Sequence, residues 1–262
     1  MRVTVLGKSP SWQDADGACS GYLVQENGTT VLLDCGNGVF GKLRKHVDYV
    51  DVDAVVLSHM HADHMLDVVP YSYALTYAPR QQPVPVHGWP GTDEPARPRL
   101  IAPTDATKMF RQIAGAWGND DLVDNAFEIE EYTAESKVTV GPLTVTFCPM
   151  PHFIDTYAVK ISTPESSFVY SADCAPNEEL IEFAAGADLA FVEATLPRAE
   201  RSGPRGHLTP EEAGSHARRA GVKQVAITHI SDELDWEWAE QQATEAFGEP
   251  VKLVAEGDAF EI

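Results

Sequence analysis

Short runs rich in β-branched and aromatic residues recur along the chain at positions 22–24, 30–33, 54–57, 138–140, 143–147, 157–161, 168–170, 189–192 and 224–227. Runs of this length and composition read as strands. The opening residues 1–7 read as a further short strand running into a Gly turn. Helical punctuation lies between them. Thr209 is a natural N-cap, Pro210 fits the first helical position, Glu212 completes a capping box and Gly221 supplies a stop. Further helices are expected over about 104–117, 176–185 and 236–247. Prolines at 79, 83, 85, 90, 95 and 98 mark one loop-rich stretch, with room for a short strand around 84–87. Many strands with helices interspersed in both halves, and no linker between the halves, predict one α/β layered domain over 1–262.

Composition narrows the class. The 262 residues are 44% hydrophobic, 23% charged and 9% aromatic, enough to bury a sizeable core. Lys plus Arg is 19 against 40 Asp plus Glu, a net charge of −21 that repels a phosphate backbone over most of the surface. Nucleic acid is therefore disfavoured as a partner, with no basic patch expected beyond Arg198, Arg201 and Arg205. No run approaches the roughly 18 apolar residues of a membrane span, and the start lacks a signal-peptide pattern, so a soluble cytoplasmic protein is expected. Cys19, Cys35, Cys148 and Cys174 contain no CxxC pair, which argues against a disulfide framework or a zinc ribbon and for buried small hydrophobes.

The chemistry concentrates at His59-Met60-His61-Ala62-Asp63-His64, directly after the apolar strand 54–57. Three imidazoles and a carboxylate on the turn leaving a buried strand can converge on metal without long side-chain reach. His59 and His61 can point to one metal from an extended turn. Asp63 and His64, displaced by the start of the next helix, can address a second. More ligands are then needed, and His152, Asp173 and His229 each follow a predicted strand. In open α/β sheets functional groups gather beyond the carboxyl ends of strands, so the three complete a seven-residue ligand set. Asp34, also at a strand end, reads as a brace for a metal-binding His. His46, His87 and His216 lack convergent partners and are expected at the surface.

These residues resemble the metallo-β-lactamase fold hydrolases, whose HxHxDH signature stands here as His59, His61, Asp63 and His64. Val192-Glu193-Ala194-Thr195 and Gly206-His207-Leu208-Thr209 look like the RNase Z group within that superfamily, and Asp34-Cys35-Gly36 matches its early Asp-x-Gly turn. In order and spacing, the chain is most similar to actinobacterial members of the group that hydrolyse cyclic nucleotides.

The resemblance implies an αβ/βα four-layer sandwich, two mixed sheets flanked by helices. It implies that His59, His61 and His152 bind one Zn²⁺, that Asp63, His64 and His229 bind the other, and that Asp173 bridges; Mn²⁺ or Fe can replace zinc. Asp63, His207 and Glu193 are the implied catalytic residues, with His207 and Glu193 acting as a general-acid pair. Two Zn²⁺, two carboxylates and a bridging hydroxide leave about one positive charge on the floor of the site, which attracts a small anion. Attack by that hydroxide on a phosphodiester such as cyclic AMP or cyclic GMP is the leading expectation. The alternatives are tRNA 3′-end processing as in RNase Z, and hydrolysis of lactones, thioesters or sulfate esters. The stretch from His152 to Asp173 is too short for the long arm with which RNase Z proteins grip tRNA. His61 argues against the di-iron oxygen-reducing branch, and the complete ligand set argues against a non-hydrolytic sensor. The loop of residues 79–98, with Trp89, and the segment around Trp117 are candidate substrate walls, and a homodimer is implied.

Overall fold

A computed structural model describes residues 1–200 and 202–262 of the chain. Strands β1 (Arg2–Gly7), β2 (Gly21–Glu26) and β3 (Thr29–Leu33) form an antiparallel meander, which β4 (Ala54–Val56), β5 (Arg99–Pro103) and β6 (Glu128–Tyr132) extend in parallel. The second half repeats this arrangement. Strands β7 (Lys137–Val140), β8 (Leu143–Met150), β9 (Thr156–Ser162) and β10 (Ser167–Tyr170) run antiparallel in turn. Then β11 (Leu189–Glu193), β12 (Gln224–Thr228) and β13 (Lys252–Leu253) follow in parallel. The last strand, β14 (Ala259–Glu261), returns to pair with β1, so the first sheet carries both chain ends.

Side-chain alternation explains why these strands read as continuous apolar runs rather than alternating ones. In β2, Tyr22 and Val24 face the second sheet while Leu23 faces outward onto helices; in β10, Phe168 and Tyr170 point inward and Val169 outward. Both faces of each sheet are covered, so both sets of positions must be apolar. Helices α1 (Val39–Leu43), α2 (Ala62–Met65), α3 (Val68–Tyr77), α4 (Ala106–Gly115) and α5 (Leu122–Ala126) contribute to the core outside the first sheet. Helices α6 (Glu178–Phe183), α7 (Pro210–Ala220) and α8 (Trp236–Phe247) cover the second. The result is the expected four-layer sandwich of two mixed sheets flanked by helices.

Helix α7 forms as its caps predict. The Thr209 hydroxyl accepts from the Glu212 amide at 3.3 Å, the Glu212 carboxylate accepts from the Thr209 amide at 2.9 Å, and Gly221 ends the helix at φ 66°. Helix α4 starts later than expected because Asp105 sits at φ 68°, outside helical space. No strand forms over residues 84–87; Val86 makes a single bridge to Trp89, since Pro83 and Pro85 cannot donate to a ladder. Among the described residues no helix is long and apolar enough to cross a membrane.

Candidate metal centre

The turn after β4 carries His59 and His61, and α2 carries Asp63 and His64. His152 lies just beyond β8, Asp173 beyond β10 and His229 immediately after β12. All seven meet at one edge of the sandwich, as two groups whose donor atoms lie within 4.8 Å of one another: His59, His61, His152 and Asp173, then Asp63, His64, Asp173 and His229. Asp173 belongs to both. Its Oδ2 lies 3.8 Å from His59 Nε2 and 3.7 Å from His152 Nε2, while its Oδ1 lies 3.4 Å from His64 Nε2 and 3.5 Å from His229 Nε2.

Hydrogen bonds fix which ring nitrogens present lone pairs to the cluster. His152 Nδ1 donates to the Gly206 carbonyl at 2.9 Å, which can only accept, so Nε2 faces inward unprotonated in the neutral ring. His64 Nδ1 donates in the same way to Asp34 Oδ2 at 2.7 Å, the brace expected of Asp34. Hydroxyls hold His59 and His229. Ser58 Oγ donates to Asp34 at 2.8 Å and meets His59 Nδ1 at 3.0 Å; Thr195 Oγ1 donates to Glu193 at 2.8 Å and meets His229 Nδ1 at 2.7 Å. Ser58, Thr195 and the Gly206 carbonyl were not expected in these roles.

Close backbone packing brings the turns together. A Cβ on Gly36 would stand 1.9 Å from the Asp63 carbonyl oxygen, so only glycine admits this approach. Asp34, Ala172 and His229 take φ of 56°, 50° and 59°, a left-handed conformation rare outside glycine and typical of functional sites.

Electrostatics favour the ligand form at three of the imidazoles and at both carboxylates. At His64, burial is outweighed by the charges of Asp173 and Asp34, which hold the imidazole pKa well above its ordinary value. Burial, reinforced for His59 by His64, holds the imidazoles of His59, His61 and His152 below their ordinary pKa, favouring the neutral ligand form. For Asp63 and Asp173 burial works towards the neutral acid, but His229 and His64 prevail and keep both carboxyls well below the usual range. Among the described residues, buried His64 Nε2 and Asp173 Oδ1 make no hydrogen bond. Two buried carboxylates ringed by inward lone pairs fit divalent cations better than they fit one another.

Beside the cluster, His207 Nδ1 lies 3.0 Å from Glu193 Oε1. Glu193 is fully buried and also accepts from the amides of Cys174, Thr195 and Leu208. Burial disfavours protonated His207, but the Glu193 hydrogen bond and charge, with Asp173, overrule it and carry its pKa up to about 9.

Other expectations fare differently. His46 and His87 are exposed, but His216 is buried on α7, donating from Nδ1 to the Glu212 carbonyl at 2.7 Å and accepting at Nε2 from the Asn177 amide at 3.2 Å. The helix face packed towards α6, rather than solvent, receives it. All four cysteines are free; Cys19, Cys35 and Cys174 are buried and Cys148 half-buried. Trp89 is occupied by Arg80, lying 4.2 Å from its guanidinium, and Trp117 donates to the Tyr73 hydroxyl at 3.0 Å. A basic cluster also exists that was not anticipated. Arg44, Lys45, His46 and Arg80 line one cavity with only Asp48 opposing them, because the loop after α1 meets the end of α3 there. Arg201 lies outside the described residues, and Arg205 is paired with Glu212.

The family model described as "Beta-lactamase superfamily domain" matches residues 29–230. An uncharacterized protein of Mycobacterium tuberculosis, Rv1339, is 31% identical over 265 residues, covering 100% of this chain and 92% of that one. The probable metallo-hydrolase YhfI of Bacillus subtilis is 29% identical over 261 residues and the full length of both. Its crystal structure superposes with a TM-score of 0.83 over 99% of this chain and 98% of its own, at 25% identity. Ribonuclease Z of Halorubrum lacusprofundi is 26% identical over 301 residues, 100% of this chain and 97% of that protein. With a ribonuclease among the relatives, the expectation that nucleic acid is disfavoured draws no support from kinship.

Proposed function

The chain belongs to the β-lactamase superfamily of metal-dependent hydrolases, and on that premise we propose that it cleaves small phosphodiesters, cyclic nucleotides foremost, at a pair of zinc ions. The observation carrying this reading is Asp173, which turns one carboxylate oxygen towards each donor group. His59, His61 and His152 would hold one ion, Asp63, His64 and His229 the other, and Asp173 would contribute to both. Nitrogen and carboxylate donors of this kind suit zinc. Such a pair, when bound, activates water and steadies charge on a phosphoryl group.

The chain's own residues do the rest. Asp34, Ser58, Gly206 and Thr195 fix the ring orientations of His64, His59, His152 and His229. Glu193 holds the His207 imidazole with Nδ1 engaged, so Nε2 is the atom left to deliver a proton to the leaving oxygen.

A second reading, cleavage of a precursor tRNA, is favoured by the ribonuclease Z relatives and by the basic cluster around Arg44 and Arg80. One experiment separates them. Purified protein is assayed for metal content and offered cyclic AMP, cyclic GMP, precursor tRNA, a lactone and a thioester. The expected result is about two equivalents of zinc and cyclic-nucleotide turnover that chelation removes. Turnover of precursor tRNA without cyclic AMP selects the second reading, and turnover of the lactone or thioester alone defeats both.

Asp34→Asn provides a further check. Asp34 accepts from His64 Nδ1, the Ser58 amide and the Ser58 hydroxyl, and one amide oxygen cannot serve all three. Metal affinity is expected to fall about 10- to 100-fold, as read by chelator competition on protein whose circular dichroism is unchanged. Unaltered affinity would show that Asp34 merely packs.

A further inference from the structure

We propose that Phe153 is a stacking platform for the nucleobase of the substrate, a binding subsite beside the metal centre; this rests on the phosphodiester reading above. Single exposed hydrophobic side chains are ordinary, so position must carry the argument. Of the clustered side chains, His59, His64, Asp173 and His229 are at most 1% exposed. His61 and His207 are only half-buried, with 17% of the His207 side chain exposed, whereas the His152 side chain is fully covered. The centre therefore opens on the side of His61 and His207. Phe153, 52% exposed, stands on that side, its ring centroid 4.9 Å from that of His152 and 6.1 Å from that of His207.

The ring is placed by what lies behind it. A Cβ on Gly206 would come within 2.4 Å of the Phe153 ring, so the glycine just before His207 leaves the space the ring occupies. Ile154, 37% exposed, follows it, and both line a cavity with Pro151, His152, Asp155, Thr156 and Tyr157. A substrate with its phosphorus at the metals and its leaving oxygen at His207 would bring the group carried by that oxygen against the Phe153 ring and Ile154. A flat base has a π-face to offer an aromatic ring, and stacking needs no hydrogen bonds that a single Phe could not supply.

The test uses two cyclic esters whose leaving ribose oxygens are alike, cyclic AMP and the base-free ribose 3′,5′-cyclic phosphate, with the zinc-loaded protein. Phe153→Ala is expected to lower kcat/KM for cyclic AMP at least about 10-fold more than for the base-free ester, chiefly through KM, and Phe153→Trp to restore it. Gly206→Ala, which forces the ring aside, should shift selectivity in the same direction. Equal losses on both esters, or none, would overturn the platform while leaving the phosphodiester reading intact. If the wild type cleaves neither ester, that reading fails instead, and binding decides the platform. Adenosine monophosphate should then bind more tightly than inorganic phosphate to the wild type and lose that advantage in Phe153→Ala; an unchanged advantage, or none in the wild type, overturns it.

Discussion

Replacing Asp173 by alanine is expected to abolish hydrolysis and to loosen both metal ions together, an outcome that no other single ligand substitution should produce. Asp173 is 1% exposed and is the one residue common to the two four-residue donor groups. Four imidazole nitrogens, from His59, His64, His152 and His229, lie within 3.8 Å of its oxygens. Removing it subtracts a charge from both groups and leaves those rings facing a methyl group. Loss of an outer-shell partner costs about 10- to 100-fold in metal affinity, and a shared inner donor should exceed the upper figure at each ion. Elemental analysis after dialysis, with chelator competition, measures this; circular dichroism confirms that the variant is folded. Asp173→Asn refines the test, since an amide keeps the shape but has one carbonyl oxygen, so one ion should be held better than the other. A folded Asp173→Ala protein that retains two ions and wild-type turnover would remove the basis for the two-metal reading.

The gathering of these candidate donors was legible because its signals are local. His59 to His64 sit within six positions, and His152, Asp173 and His229 each follow an apolar strand, so recognising strand ends was enough to bring them to one edge. The hydroxyls of Ser58 and Thr195 were not legible as supports. Their roles depend on Asp34 approaching from 24 positions away and His229 from 34, distances over which a serine or threonine has many possible partners. Phe153 adjoins a recognised histidine, yet its place is set by Gly206, far along the chain.

The same contrast holds for the fold. Strands with β-branched runs were evident, whereas β6, whose sequence is Glu-Ile-Glu-Glu-Tyr, looks like a charged loop and is a strand only because β5 pairs with it in parallel. Helix α3 is apolar on most sides and carries Pro70 in its first turn, so neither periodicity nor composition marks it, although proline is tolerated there. In the basic cluster, Arg44, Lys45 and His46 are a visible run; Arg80 joins only through tertiary packing.

His207→Ala should lower turnover about 100- to 10,000-fold while leaving metal content intact, and the size of the loss should depend on the leaving group. Glu193, fully buried and fixed by three backbone amides, meets Nδ1 of His207 at 3.0 Å. That contact, against the opposing effect of burial, carries the imidazole pKa up to about 9, so a proton is available at neutral pH. A ribose alkoxide needs that proton as it leaves. A nitrophenolate does not, because it is already a stable anion near neutrality. The variant should therefore be severely impaired on cyclic AMP and much less so on a nitrophenyl phosphodiester. Glu193→Gln, which still accepts from some of the same amides but holds no charge against the ring, should fall between wild type and His207→Ala on the cyclic substrate. Equal losses on both substrates would mean that His207 positions the phosphodiester rather than protonating it. Loss of metal in His207→Ala would mean instead that it serves the third donor group, with Glu193 and His229.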